Sequence, residues 1–179
     1  MSNKQSAIIV DIDGTAALGI GVHRKAYDYH LCGKDSPNLD VWYMIKLYIQ
    51  DNKLEDRSVI FLSGRENVSF PGKSNRKDIC YRRATFRDKE YSTCYDLTYA
   101  WIDYIATVVS DISDIGLNWK LHMREADDYR EDSIVKAEMY DKYVKDKYHI
   151  NFVLDDRNQV VKMWREIGLF CLQVADGNF

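Results

Sequence analysis

The stretch Ala7-Ile8-Ile9-Val10-Asp11-Ile12-Asp13-Gly14-Thr15 decides the fold. Four apolar residues rich in β-branched side chains, ended by Asp and Gly, predict a buried strand over residues 7–11 feeding a loop. Carboxylates at the carboxyl end of a buried strand stand where open α/β sheets bind their ligands. Two of them two positions apart repel each other and desolvate badly unless a cation or a proton sits between them. The natural occupant is Mg²⁺, and the natural substrate of carboxylate-held Mg²⁺ is a phosphate. An Asp-rich turn after a strand is the plain alternative, since Asp and Gly are ordinary turn residues.

Outward from this stretch, the chain reads as strand–helix alternation. Ser36-Pro37 is expected to cap and open a helix through Gln50, with Leu39, Trp42, Ile45 and Ile49 on its inner face. A buried strand at 58–62 follows and ends at Ser63-Gly64-Arg65. Helices are expected at 95–110, 132–148 (Val135, Met139 and Tyr143 inward) and 159–167, closing on Gly168. Strands are expected at 117–123, 152–154 and 169–174. This alternation implies an α/β fold: a Rossmann-like parallel sheet with helices on both faces and right-handed crossovers. Asp11, Ser63 and Asp155 would then meet on one rim.

The 179 residues suit one domain spanning 1–179, with an irregular basic insertion at 66–93. A net charge of −3 provides no global basic field for nucleic acid, so any such contact must be local. Between Arg65 and Glu90, eight basic residues face four acidic ones, with Phe70, Tyr81, Phe86 and Tyr91 interleaved. That mix suits tracking a backbone and stacking bases; the plain alternative is a solvated loop. No apolar run approaches a membrane span, and residues 1–6 are polar, so a protein of the cytoplasm (the host cytoplasm if phage-encoded) with no membrane contact is expected. The four cysteines and four histidines lack ligand spacing, which predicts reduced thiols and no zinc.

Four segments together resemble the signatures of the haloacid dehalogenase superfamily: D-I-D-G-T at 11–15, Ser63 after V-I-F-L, Lys136 within R-E-D-S-I-V-K, and L-D-D-R at 154–157. Residues 149–179, S-G-R-E at 63–66 and the H-R-K-A-Y-D segment around Arg24 are similar to the 3′-phosphatase part of phage polynucleotide kinase/phosphatases. No G-x-x-x-x-G-K-[ST] occurs, so the expectation is the phosphatase module without its kinase.

The resemblance implies a polynucleotide 3′-phosphatase acting on RNA or DNA ends, with 2′,3′-cyclic phosphate as a further substrate, in nucleic-acid end repair. Asp11 would be the nucleophile, Asp13 the general acid/base, and Lys136 the third catalytic residue. Asp11, Asp13 (through its carbonyl) and Asp155 would hold Mg²⁺. Ser63, Gly64, Arg24, Arg65, Asp132 and Asp156 would bind phosphate or substrate, the arginines by bidentate grip. Asp132, four residues before Lys136, would orient it; a helix cap with a surface ion pair is the alternative, as is a turn carboxylate for Asp156. A separate kinase or ligase partner fits the same picture, and the 13 tyrosines could serve a homodimer or simply pack the helices. Two rival functions remain: a phosphatase of free nucleotides or small phosphoesters, and a non-catalytic module that binds nucleic-acid ends.

Overall fold

The computed structural model describes residues 4–50, 57–73, 79–109 and 118–177. Five strands form one parallel sheet: β1 (Gln5–Val10), β4 (Arg57–Glu66), β9 (Asn118–Arg124), β10 (Tyr148–Arg157) and β11 (Cys171–Gly177). Their order is β11-β10-β1-β4-β9, with β1 at the centre. Four helices cover it: α1 (Leu39–Gln50), α2 (Cys94–Tyr104), α3 (Asp132–Tyr143) and α4 (Asn158–Glu166).

Alternation of side chains along the buried strands divides the apolar interior into two layers. Ile8, Val10, Val59 and Phe61 face one side and pack with Trp42 and Ile45 of α1 and Leu97, Trp101 and Ile102 of α2. Ala7, Ile9, Ile60 and Leu62 face the other side and meet Val135 and Met139 of α3 and Val160, Val161 and Trp164 of α4. Near-continuous apolar runs in β1 and β4 follow from this burial on both faces. The sheet and its two helical layers are the α/β architecture expected from the sequence.

Several element boundaries differ from expectation. Ser36–Pro37 (β3) pairs antiparallel with Ala17–Leu18 (β2), so α1 starts at Leu39, and Leu39 is exposed while Val41 takes the inward place. A 3₁₀ turn, Tyr29–Lys34, precedes that pair. The Thr93 side chain accepts from the Asp96 amide and starts α2 at Cys94, and a π-helical turn, Ile105–Val109, continues it. The expected end of that helix at 110 and the expected strand start at 117 lie outside the described residues. Helix α3 stops at Tyr143; the Val144 amide still bonds to the Tyr140 carbonyl, and its side chain is buried in the second layer. The sequence from Tyr148 onward is strand, so β10 runs through Asp155 and Asp156. Likewise β4 continues through Ser63-Gly64-Arg65 to Glu66.

The insertion is less irregular than its composition suggests. Gly72–Lys73 (β5) pairs with Cys80–Tyr81 (β6), and Ala84–Phe86 (β7) with Lys89–Tyr91 (β8). Arg87 and Asp88, both at positive φ, make the tight turn of the second hairpin. Val68, Phe70, Tyr81 and Ala84 are buried in the first core layer, so this segment is anchored as well as charged.

Candidate active site

The carboxyl ends of β1, β4, β9 and β10 surround a polar cavity of about 180 Å³, lined among others by Asp11, Asp13, Gly64, Arg65, Lys136 and Asp155. Its floor is Asp11, placed by its amide bond to the Leu154 carbonyl at 2.9 Å. Lys136, fully buried on α3, donates to Asp11 Oδ1 at 2.5 Å and to Asp155 Oδ2 at 2.8 Å. Trp164 Nε1 donates to the same Asp155 oxygen at 3.2 Å, and the Arg157 amide to Oδ1 at 3.3 Å. Asp156 accepts from Thr15 at 3.2 Å and packs over Gly14, whose positive φ and missing Cβ permit that approach.

Burial pushes the Asp11 carboxyl well above the usual carboxylate range; Lys136 opposes this, and the charges of Asp155 and Asp156 add to it. Burial and then Asp155 raise Asp156 in the same way. Burial would lower Lys136, but Asp11 and Asp155 raise it, so it stays a cation. Oxygens of Asp11, Asp155 and Asp156 lie within 4.8 Å of one another. Three crowded carboxylates against one lysine leave excess negative charge, and an oxygen-only donor set of this kind fits a hard divalent cation such as Mg²⁺. The carboxylate of Asp156, expected at the substrate, therefore belongs to this cluster, while that of Asp13, whose carbonyl was the group expected at the metal, stands outside it.

Asp13 faces the other way, into a second network. Arg65 grips it with Nε at 2.9 Å and Nη2 at 2.8 Å, and Arg24 Nη2 also donates to it. Both arginines also donate to Asp35, at 2.7 Å each, and Arg65 Nη1 reaches Thr98 at 3.2 Å. Burial alone would raise Asp13; Arg65 and Arg24 outweigh it and hold the carboxyl at about 2. The two guanidiniums expected at a substrate phosphate are buried and spend their nitrogens on protein acceptors.

A third network holds the far wall. Asp132, expected to orient Lys136, instead accepts from Arg124 and, at 3.0 Å, from Arg157. Its carboxylate lies over Gly64, where a Cβ would come within 2.3 Å of Oδ1. Ser63 is fully buried beneath, its Oγ accepting from the Arg65 amide at 3.1 Å.

Asp35, Arg124 and Trp164 carry these networks without having stood out in the sequence, and Thr15, quoted with its motif, had no role assigned. Arg124 was the one within reach, because it ends a strand on the same rim. Asp35 directly precedes Ser36-Pro37, which reads as a helix start and gives no sign of a buried carboxylate.

A buried aspartate at the end of the central strand, a buried lysine bound to it and two acidic residues from the neighbouring strand define a carboxylate-centred α/β core of the haloacid dehalogenase type. Residues 5–94 and 84–179 match the model of the polynucleotide kinase PNKP phosphatase domain, and the chain belongs to that family. It is 28% identical over 162 residues to a putative bifunctional polynucleotide kinase/RNA ligase of Autographa californica nuclear polyhedrosis virus, covering 90% of this chain and 18% of that protein. It also resembles chains of two solved structures: the Pnkp1/Rnl/Hen1 RNA repair complex (TM-score 0.71, 32% identity) and a Pnkp1/Rnl/Hen1 complex (TM-score 0.69, 30% identity). Those matches cover all of this chain and 45% and 49% of the other chains, so it spans less than half the length of these relatives. Among the described residues no helix is long and apolar enough to cross a membrane.

Proposed function

We propose that this protein is a Mg²⁺-dependent phosphatase that removes 3′-phosphates from RNA or DNA ends, with 2′,3′-cyclic phosphate ends as a further substrate. One observation carries the reading: Asp11 lies on the cavity floor between Lys136 and the Asp155–Asp156 pair. Such an aspartate is a nucleophile whose charge is held by a neighbouring cation. The family and the relatives, a polynucleotide kinase phosphatase domain, a polynucleotide kinase/RNA ligase and an RNA repair complex, support a polynucleotide as the substrate class.

Asp11 attacks phosphorus, forming its O–P bond as the bond to the leaving 3′-oxygen breaks, and that oxygen takes a proton from Asp13. Water then attacks the aspartyl-phosphate, gives a proton to Asp13, and releases inorganic phosphate with Asp11 restored. Asp11, Asp155 and Asp156 would hold Mg²⁺, which when bound neutralises charge on the phosphoryl oxygens. Lys136 and the Gly64 amide stabilise the same charge from protein. Asp13 as it stands is a base, because Arg24 and Arg65 keep it ionised. A phosphate dianion seated beside it adds negative charge and competes for Arg65, and both effects raise the Asp13 carboxyl toward the donor state.

The test is phosphate release from a 3′-phosphorylated oligonucleotide with Mg²⁺, beside Asp11→Asn and a 3′-mononucleotide. Release from the oligonucleotide, lost in the variant and much slower on the mononucleotide, is expected. Activity on the mononucleotide alone would move the function to small phosphoesters, and silence on both would overturn the reading.

A further inference from the structure

We infer that the groove along the outer edge of β9 binds unpaired nucleotides of the strand whose end enters the active site. Strand β9 is the last in the sheet, and α2 flanks it, leaving a groove of about 490 Å³. Its walls are aromatic. Tyr99 lies over Trp119 with ring centroids 4.4 Å apart, Tyr95 follows at 6.2 Å, and His122 stacks on Tyr143 at 4.2 Å with planes 4° apart. Tyr99 remains 45% exposed, so a wide ring face is presented to solvent. A row of half-buried aromatic rings with Tyr99 open to solvent marks a contact surface.

The charges choose the occupant. Lys120 lines the groove and Lys142 stands 4.8 Å over the Tyr143 ring. Lys120 and Lys142 thus stand on the same aromatic wall, and burial, then Lys147, Lys120 and Lys142, press the His122 imidazole toward its neutral form. Glu125 is the acidic residue of the lining. Flat aromatic faces beside a cluster of lysines are what a single strand requires: rings for bases, ammonium groups for phosphates. Stacking accepts every base, which suits an enzyme that must process ends of any sequence.

The groove is also continuous with the cavity. Glu66 and Arg124 line the active site, while the next residues, Asn67 and Glu125, line the groove. The Asn67 amide donates to the Arg124 carbonyl at 2.9 Å and closes this shared rim. A strand whose terminal phosphate reaches Asp11 can therefore cross the rim one residue away and settle along β9. This inference rests on the proposed polynucleotide reading.

The experiment compares wild type, Tyr99→Ala and Lys120→Ala on a 3′-phosphorylated ten-nucleotide strand and on a 3′-mononucleotide. A 3′-hydroxyl ten-mer is used in parallel for binding without chemistry, by fluorescence anisotropy. Both variants should raise KM and Kd for the ten-mer by about five- to tenfold, leave kcat unchanged, and leave the mononucleotide untouched. Lys120→Ala should also flatten the dependence of Kd on salt. Ten-mer KM and Kd unchanged in both variants would overturn the inference while the phosphatase reading stands. Ten-mer binding that depends on Tyr99 and Lys120, with no phosphate release by wild type, would support the groove and overturn the phosphatase reading.

Discussion

Replacing Gly64 by alanine tests the link between the cavity wall and the networks behind it. The backbone there tolerates alanine, since only space is at issue. The new methyl would stand 2.3 Å from Asp132 Oδ1, 2.7 Å from Oδ2 and 2.8 Å from Cγ, where ordinary contacts begin at 3.4 Å. The carboxylate must retreat by about 1 Å, because Asp132 belongs to a helix end and α3 is fixed by Val135 and Met139. That retreat stretches the 3.0 Å bond from Arg157 beyond hydrogen-bond reach and breaks the contact with Arg124. Arg124 keeps the Asp128 and Arg130 carbonyls at 2.9 and 2.7 Å, so the loss is partial. Losing these two charge-assisted contacts, with Arg124 still satisfied by its two carbonyls, costs about 2 kcal/mol. For a chain of this size that is a fall in Tm of roughly 4–8 °C. Urea and thermal melts read it directly, and Gly64→Ala/Asp132→Ala supplies the control. If the methyl acts through Asp132, its effect in the Asp132→Ala background should fall to within about 0.5 kcal/mol of zero. A single variant as stable as wild type, or the same 2 kcal/mol loss in both backgrounds, would refute the reasoning.

Lys136→Met should abolish phosphate release and cost about 3–5 kcal/mol at pH 7, since it strands Asp11 and Asp155 in a buried site without their cation; added Mg²⁺ should return part of that stability in urea melts. Arg65→Lys replaces a fork on Asp13, Asp35 and Thr98 with a single ammonium, so kcat/KM should fall at least about tenfold in steady-state assays. Asp13 is held at about 2, below its ordinary 3.8, so its ionised form stabilises the fold above pH 4 and that contribution is lost as pH falls through 2. Asp13→Asn should therefore cost about 2 kcal/mol at pH 7 and roughly half as much at pH 3, read from melts at both pH values.

What the sequence showed and what it hid divide along a physical line. The central sheet was legible because β1 and β4 are buried on both faces and therefore apolar without interruption. The shared rim of Asp11, Ser63 and Asp155 followed from strand–helix alternation, which makes the sheet parallel and puts all carboxyl ends on one side. The lines that failed were local signals overruled by distant contacts. Pro37 after Ser36 looks like a helix start, yet its pairing with Ala17 delays the helix and turns Leu39 outward. The helix expected to run to 148 stops at Tyr143, and the chain passes through buried Val144 into the strand that starts at Tyr148. Asp35 contacts Arg65 across 30 positions and Lys136 contacts Asp11 across 125, distances at which no spacing rule operates. Arginine partners in particular were invisible: a guanidinium beside a phosphate site reads as a phosphate ligand until its carboxylates are seen.

The division between Asp11 and Asp13 is the deepest consequence of this packing. They stand two residues apart, separated by Ile12, which is fully buried and fixes the turn between them. Asp11 is turned toward Lys136, Asp155 and Asp156, a surplus of negative charge that raises its carboxyl and calls for a cation. Asp13 is turned toward Arg24 and Arg65, a surplus of positive charge that lowers its carboxyl to about 2. Two chemically identical groups are thus driven to opposite protonation behaviour by the elements behind them, and the proposed roles require a bound cation to ionise Asp11 and a bound phosphate to raise Asp13. The roles proposed for them cannot be exchanged. A nucleophile in the place of Asp13 would have its lone pairs committed to two guanidiniums, whereas Asp11 needs only a cation on the carboxylate cluster to become an ionised, accessible oxygen at the cavity floor.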